Sequence, residues 1–263
     1  MRAEFPPFAV LQHRFRGLEG LADTGEEGVP CRSVLTDRPF KFPIVRPIAE
    51  NVDTRARLYY RPMMKLTYFD FPGRAEAIRD ALRIGGVTFI DHRVSHAEFR
   101  ALRDSGALPF DSLPVLELAD GTVVGQSNTI LRYVGGITGL TPTATGEALR
   151  VDALLDSAED FGGRVSSSIR TPDATLRTAL REELVSLWLP HWCRLLERSL
   201  AVDGQGWLVG STLTIADLKG VHWFDKLTNG SLTGIPTDLL VPFPALGAWR
   251  EHTHRERAAR IRT

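Results

Sequence analysis

Tyr68 stands in the run Lys65-Leu66-Thr67-Tyr68-Phe69-Asp70-Phe71-Pro72-Gly73-Arg74-Ala75-Glu76. Polar and apolar residues alternate from Lys65 to Phe69, as in a half-buried strand. Pro72-Gly73 breaks that strand, and Arg74 to Ile84 reads as a helix. A phenol at the end of a strand, facing the N-terminus of a helix, can hold an anion. The helix end offers unpaired N–H groups and a partial positive charge. Tyr68 can donate its hydroxyl proton to the same anion, and Arg74 adds a full charge nearby. A donor together with positive potential favours a thiolate over a thiol. Without its flanking residues, Tyr68 would read as an ordinary strand tyrosine with a core ring and a wet hydroxyl.

The elements that must position Tyr68 alternate strand and helix. Val87–Val94 reads as a second strand, Ala97–Arg103 as a short helix, and Val115–Leu118 with Thr122–Val124 as a hairpin. Its turn, Ala119-Asp120-Gly121, is of the Asp-Gly kind. Ser127–Ile137 reads as a helix with Ser127 as N-cap. Thr138 to Thr143 is a short linker containing Gly139 and Pro142. Beyond it the chain is helical. Val151, Leu154, Leu155, Ala158, Phe161, Val165 and Ile169 recur at helical spacing, as do Leu176, Leu180, Leu184, Leu187 and Trp188. Pro190 predicts a kink in the second of these helices. Thr214-Ile215-Ala216-Asp217 has the form of a capping box, a structural role.

Composition excludes several classes. Lys plus Arg (32) balance Asp plus Glu (32), so nothing points to nucleic acid or an anionic membrane surface. No apolar run approaches the length of a spanning helix. Cys31 and Cys193 make no disulfide framework, and a reducing cytoplasmic setting is the expectation. Residues 1–63 carry Pro6-Pro7, Gly25, Gly28, Pro30, Pro39, Pro43 and Pro47 with no sustained period. They read as a disordered extension or an over-long gene start, with a regulatory arm as the alternative; nothing in them resembles a secretory signal.

The run around Tyr68 resembles the start of the glutathione transferases, most closely the sigma class with a catalytic tyrosine. The resemblance continues through Leu108-Pro109-Phe110, Leu113-Pro114-Val115-Leu116-Glu117 and Gln126-Ser127-Asn128-Thr129-Ile130-Leu131-Arg132-Tyr133. It extends to Glu159-Asp160-Phe161 and Gly206-Trp207-Leu208-Val209-Gly210-Ser211. It implies an α/β thioredoxin-like N-terminal domain over residues 64–138 and an all-α C-terminal domain over 144–263, paired as a homodimer. It also implies glutathione as co-substrate, with no other cofactor, and a small hydrophobic electrophile as second substrate. A glutathione-dependent isomerase or peroxidase would use the same thiolate. A non-catalytic ligand binder or structural member would not need Tyr68, Arg74, Gln126 and Ser127 together.

Carried over residue by residue, the resemblance makes Tyr68 the thiol activator with Arg74 beside it. Leu113 and a cis Pro114 would present backbone to the cysteinyl part of glutathione, and Gln126-Ser127 would hold its γ-glutamyl end. Asp160 would reach across the dimer to the glutathione amino group. Phe99 and Arg103, with Arg100 as the alternative to Arg103, stand where the class has a tryptophan and a lysine near the glycine carboxylate. Phenylalanine cannot donate there, while arginine can hold a carboxylate by two bonds. Phe71, Gly163 and Val165 are the expected lining of a second-substrate pocket. Prostaglandin-converting relatives carry bulky aromatic residues after the Asp-Phe pair. Gly162-Gly163-Arg164-Val165 here does not imply that substrate. Asp156, Glu159 and Asp160 resemble an acidic cluster that binds a divalent ion, but a charged helix face is the commoner cause, and no metal is expected.

Overall fold

The computed structural model describes residues 63–261; the expectation for the N-terminal extension lies outside them. The chain opens with β1 (Met64–Phe69), a 3-10 turn (Gly73–Ala75), α1 (Glu76–Ile84), β2 (Phe89–Val94) and α2 (His96–Asp104). The hairpin β3 (Val115–Glu117) and β4 (Val123–Gly125) follows, then α3 (Ser127–Thr138). The four strands form one mixed sheet in the order β2-β1-β3-β4. β1 runs parallel to β2, with Tyr68 opposite Arg93, and antiparallel to β3, with Leu66 opposite Leu116. Central placement buries Leu66, Thr67 and Tyr68 in succession, so the expected half-buried strand is an inner one.

The helical half comprises α4 (Thr145–Arg170), α5 (Ala174–Glu183), α6 (Leu189–Asp203), α7 (Ile215–Thr228) and α8 (Pro244–Ile261). The break predicted at Pro190 is a π-helical stretch, Leu184–Trp188, whose end places the Leu189 N–H on the Leu184 carbonyl. Pro190 has no N–H to continue the ordinary ladder, and the wider turn absorbs the register change. An aromatic chain ties four helices together. Phe161 stacks on Trp192 at 4.3 Å, Trp192 meets Phe224 at 5.1 Å, and Phe224 meets Trp249 edge-on at 5.9 Å. Each such pair adds about 0.5–1.5 kcal/mol beyond area burial.

The Thr214–Asp217 capping box forms and does more than cap α7. The fully buried Asp217 carboxylate accepts from Leu208 N–H at 3.0 Å, Thr214 N–H at 2.9 Å, the Thr214 hydroxyl at 2.8 Å and Trp249 Nε1–H at 2.8 Å. Burial still pushes its carboxyl above the ordinary value. Cys193 lies wholly in the core, where burial pushes its thiol up to about 12 and leaves it inert. None of the described helices is long and apolar enough to cross a membrane.

Candidate active site

The β1–α1 loop is built around two side chains. Tyr68, 5% exposed, stands one residue before the end of β1 with its ring in the core, and its hydroxyl accepts the Arg74 N–H at 3.1 Å. The helix expected from Arg74 thus begins as a 3-10 turn, whose free amide reaches the phenol. With that lone pair occupied, the hydroxyl proton is free to point elsewhere. Burial pushes the phenol above its ordinary value, and the Arg74 amide and the Arg74 and Arg79 charges only partly offset this. Tyr68 therefore keeps its proton at neutral pH and can act as a donor.

Gly73 makes room for this arrangement. It adopts φ +46°, and a Cβ there would lie 2.6 Å from the Tyr68 hydroxyl and 2.8 Å from Phe71. Arg79 fixes the rest of the loop. Its guanidinium, 0% exposed, donates to the carbonyls of Phe69 (3.3 Å), Phe71 (3.2 Å) and Pro72 (3.4 Å), and to Asp91 (3.0 Å) and Glu76 (3.0 Å). Five acceptors leave the buried charge well paired. Sequence reading passed over Arg79 because it reads as one more charge on a helix whose ends are already charged.

The second part of the site is the start of α3. The Leu113–Pro114 peptide is cis, and β3 follows it directly. Gln126, not Ser127, is the N-cap; it holds φ 72° and makes no capping bond through its side chain. Such a conformation costs a non-glycine residue about 1–3 kcal/mol and persists where the surroundings impose it. Ser127 is instead the first helical residue, which corrects its expected capping role. Its buried hydroxyl meets Lys219 Nζ at 3.4 Å.

Lys219 on α7 also donates to Glu159 Oε2 at 3.0 Å, and the other Glu159 oxygen takes Arg74 Nη2 at 2.8 Å. Ser127, Lys219, Glu159, Arg74 and Tyr68 therefore form one continuous polar chain across α3, α7, α4 and the β1–α1 loop. Lys219 is 4% exposed; burial pushes its ammonium below the ordinary value, and Glu159 pulls it back up. Nothing in the sequence around Lys219 distinguishes it from a solvated helical lysine. Leu218 before it and Gly220-Val221 after it make too short an apolar stretch to mark it as buried.

The remaining expected site residues are distributed unevenly. Phe71, 46% exposed, stacks on Phe69 at 5.4 Å and meets Tyr68 edge-on at 5.5 Å. Phe99 packs edge-on against Phe69 at 5.3 Å. Arg103 lies over the Phe99 ring at 5.9 Å and pairs with Asp104 at 3.0 Å on an exposed surface. Asp160 is exposed on α4 and has no ion-pair or hydrogen-bond partner among the described residues.

Gly163 faces open space, whereas Val165 is fully buried in the helical core and so has no surface to offer a second substrate. At Gly162 a Cβ would sit 2.1 Å from the Trp223 ring, so that glycine lets the α7 indole lie against α4. Two of the three acids considered for a metal are engaged by cations. Asp156 pairs with Arg132 at 2.8 Å, and Glu159 bridges Arg74 and Lys219. Among the described residues no cluster of ligands suited to a metal ion occurs.

Comparisons with known proteins identify the family of the chain. Residues 64–136 match the glutathione S-transferase N-terminal domain, and residues 159–258 match the C-terminal domain. Hematopoietic prostaglandin D synthase of Homo sapiens is 32% identical over 190 residues, covering 72% of this chain and 89% of that protein. Glutathione S-transferase 1 of Ascaris suum is 36% identical over 164 residues, covering 60% and 76%. The structure of prostaglandin synthase D of Nilaparvata lugens superposes with a TM-score of 0.65 at 27% identity, covering 73% of this chain and 92% of that one. The chain belongs to the glutathione S-transferase family of enzymes.

Proposed function

We propose that the protein binds glutathione along the edge formed by Leu113–Pro114, Gln126 and Ser127, and activates its thiol at Tyr68 for attack on a small hydrophobic electrophile. The observation that carries this reading is the Tyr68 hydroxyl, which accepts the Arg74 amide and keeps its own proton available. That proton stabilises sulfur negative charge, and Arg74 adds positive potential, so the bound thiol loses its proton to solvent below the pH at which free thiols ionise. Ser127 takes the γ-glutamyl carboxylate, and the Leu113 backbone takes the cysteinyl amide. Phe99 and Arg103 face the glycine end. Phe71 and Gly163 border the second-substrate cleft. The Asp160 carboxylate serves the neighbouring subunit of a homodimer, in a cytoplasmic, detoxifying role.

A second reading, a glutathione-dependent isomerase, is favoured by the similarity to hematopoietic prostaglandin D synthase. It shares the thiolate and differs in what the cleft admits and in the fate of the sulfur, which is returned as free glutathione rather than kept in the product.

The test is retention on immobilised glutathione followed by conjugation to a generic aromatic electrophile. Tyr68→Phe should be retained almost as well as wild type while its rate falls by roughly 10- to 100-fold, the worth of one hydrogen bond to a charged group. Wild type that is not retained at all would end the enzyme reading. Full activity in Tyr68→Phe would end the assigned mechanism.

A further inference from the structure

We propose that Lys219 is a positioning residue that couples the γ-glutamyl anchor to the thiol activator, acting through Ser127 on one side and Glu159 on the other; this rests on the glutathione reading above. The two hydroxyls of the site are prepared in the same way. Tyr68 accepts the amide of Arg74 at 3.1 Å, and Ser127 accepts the ammonium of Lys219 at 3.4 Å. In each case an acceptor position is filled from the protein side, and the hydroxyl proton is left for the ligand. Glu159 joins the two donors, with Arg74 at 2.8 Å on one oxygen and Lys219 at 3.0 Å on the other.

A structural pin between helices would not need this chemistry. Burying an ammonium is costly unless it is paired, and well-packed apolar side chains usually serve such a junction at least as well. Lys219 is instead held 4% exposed, and its partners are drawn from positions 92 and 60 residues away. Both partners sit at the site. Ser127 opens α3 without capping it, and Glu159 spends its second oxygen on Arg74 rather than on α4.

The charge balance has a direct consequence. Arg74 and Lys219 against Glu159 leave one net positive charge along the polar chain. Of the other charged groups around it, Asp160 next to Glu159 is unpaired but exposed to solvent, which screens it, His222 on α7 is held by Asp80, and the rest are paired. Arg79 is held by Glu76 and Asp91, and Asp156 by Arg132. Removing Lys219 therefore takes away the surplus charge that favours a bound thiolate, and removing the Glu159 charge adds to it.

The experiment uses the full chain and follows the thiolate absorbance of bound glutathione, the KM for glutathione and the pH profile of kcat/KM. Lys219→Met should raise the KM for glutathione roughly ten-fold, the worth of one displaced hydrogen bond. It should also move the acidic limb of the profile up by about 0.5–1 pH unit, as expected for one charge in a partly screened site. Lys219→Arg should restore the limb, and Glu159→Gln should move it down. Should Lys219→Met fail to fold, Lys219→Arg with the limb at its wild-type place and Glu159→Gln with the limb lowered still give a readable contrast, and an unmoved limb in Glu159→Gln then overturns the inference. An unmoved limb in Lys219→Met, or a shift of the same sign in Lys219→Met and Glu159→Gln, overturns the inference while the glutathione reading stands. A wild type without glutathione-dependent signal overturns the reading beneath it.

Discussion

Replacing Gly73 by alanine separates backbone strain from damage to the tyrosine. The residue holds φ +46°, and an L side chain in that region costs about 1–2 kcal/mol. The added Cβ would also lie 2.6 Å from the Tyr68 hydroxyl, where ordinary contact begins at 3.4 Å. Phe71 is exposed and can swing away, but the Tyr68 ring is held in the core, so the phenol itself must shift by about 0.8 Å. The hydrogen bond from the Arg74 N–H to the Tyr68 hydroxyl is already 3.1 Å long and does not survive that shift. A displacement near 1 Å of a reacting group costs about 100-fold in rate. Gly86 is the control, because it holds φ +63° with nothing within 4 Å of an added Cβ. Gly86→Ala should lose about 1–2 kcal/mol, or roughly 2–8 °C in Tm by thermal melting, and Gly73→Ala about 1–3 kcal/mol more for its clash with Tyr68. Only Gly73→Ala should lose about two orders of magnitude in kcat/KM for conjugation. Activity of folded Gly73→Ala within threefold of wild type, or an equal loss in Gly86→Ala, would refute the reasoning.

Two further outcomes follow from Arg79 and its partner. Arg79→Met leaves three loop carbonyls and two carboxylates without their shared donor, and should cost about 3–5 kcal/mol, seen as a fall of roughly 6–20 °C in Tm. The Asp91 carboxyl is pushed up by burial, but hydrogen bonds from Arg79 and Arg93 outweigh this and hold it below its ordinary value of 3.8. A carboxylate depressed in the folded state stabilises the fold above the unfolded value, and that contribution is lost as pH falls through the folded value. Thermal stability should therefore drop as pH falls below about 5 and on through the depressed folded value, and Asp91→Asn should flatten that slope while lowering Tm at neutral pH. An unchanged slope in Asp91→Asn would rule out this carboxylate as the source.

What the sequence revealed was local. The alternation before Tyr68, the Asp-Gly turn at Asp120-Gly121 and the Thr214–Asp217 box are each complete within a few residues, and each forms. Pro190 likewise marks a real irregularity, though its π-helical form depends on how α5 and α6 join. Ser127 was misread because serine before an apolar run is the usual N-cap. Here the left-handed Gln126 takes the capping position and moves the serine one residue into the helix. Lys219 and Arg79 were invisible for a different reason. Their meaning lies in partners that only folding brings near, and in burial that contradicts their residue type.

The contact between Gly162 and Trp223 sets a limit on how this protein can diverge. The indole of Trp223 on α7 occupies the space that a side chain at position 162 on α4 would need, so the approach of the two helices depends on both residues. The same two helices carry Glu159 and Lys219 one turn earlier, on the pair that closes at 3.0 Å. A larger residue at position 162 would wedge the helices apart, widening the space beside Gly163 and stretching that ion pair in the same movement. A smaller residue in place of Trp223 would let them settle together and do the reverse. On the proposed function, breadth of second substrate and readiness of the thiol are thus geared to one spacing. A lineage or an engineer altering either through these positions changes both.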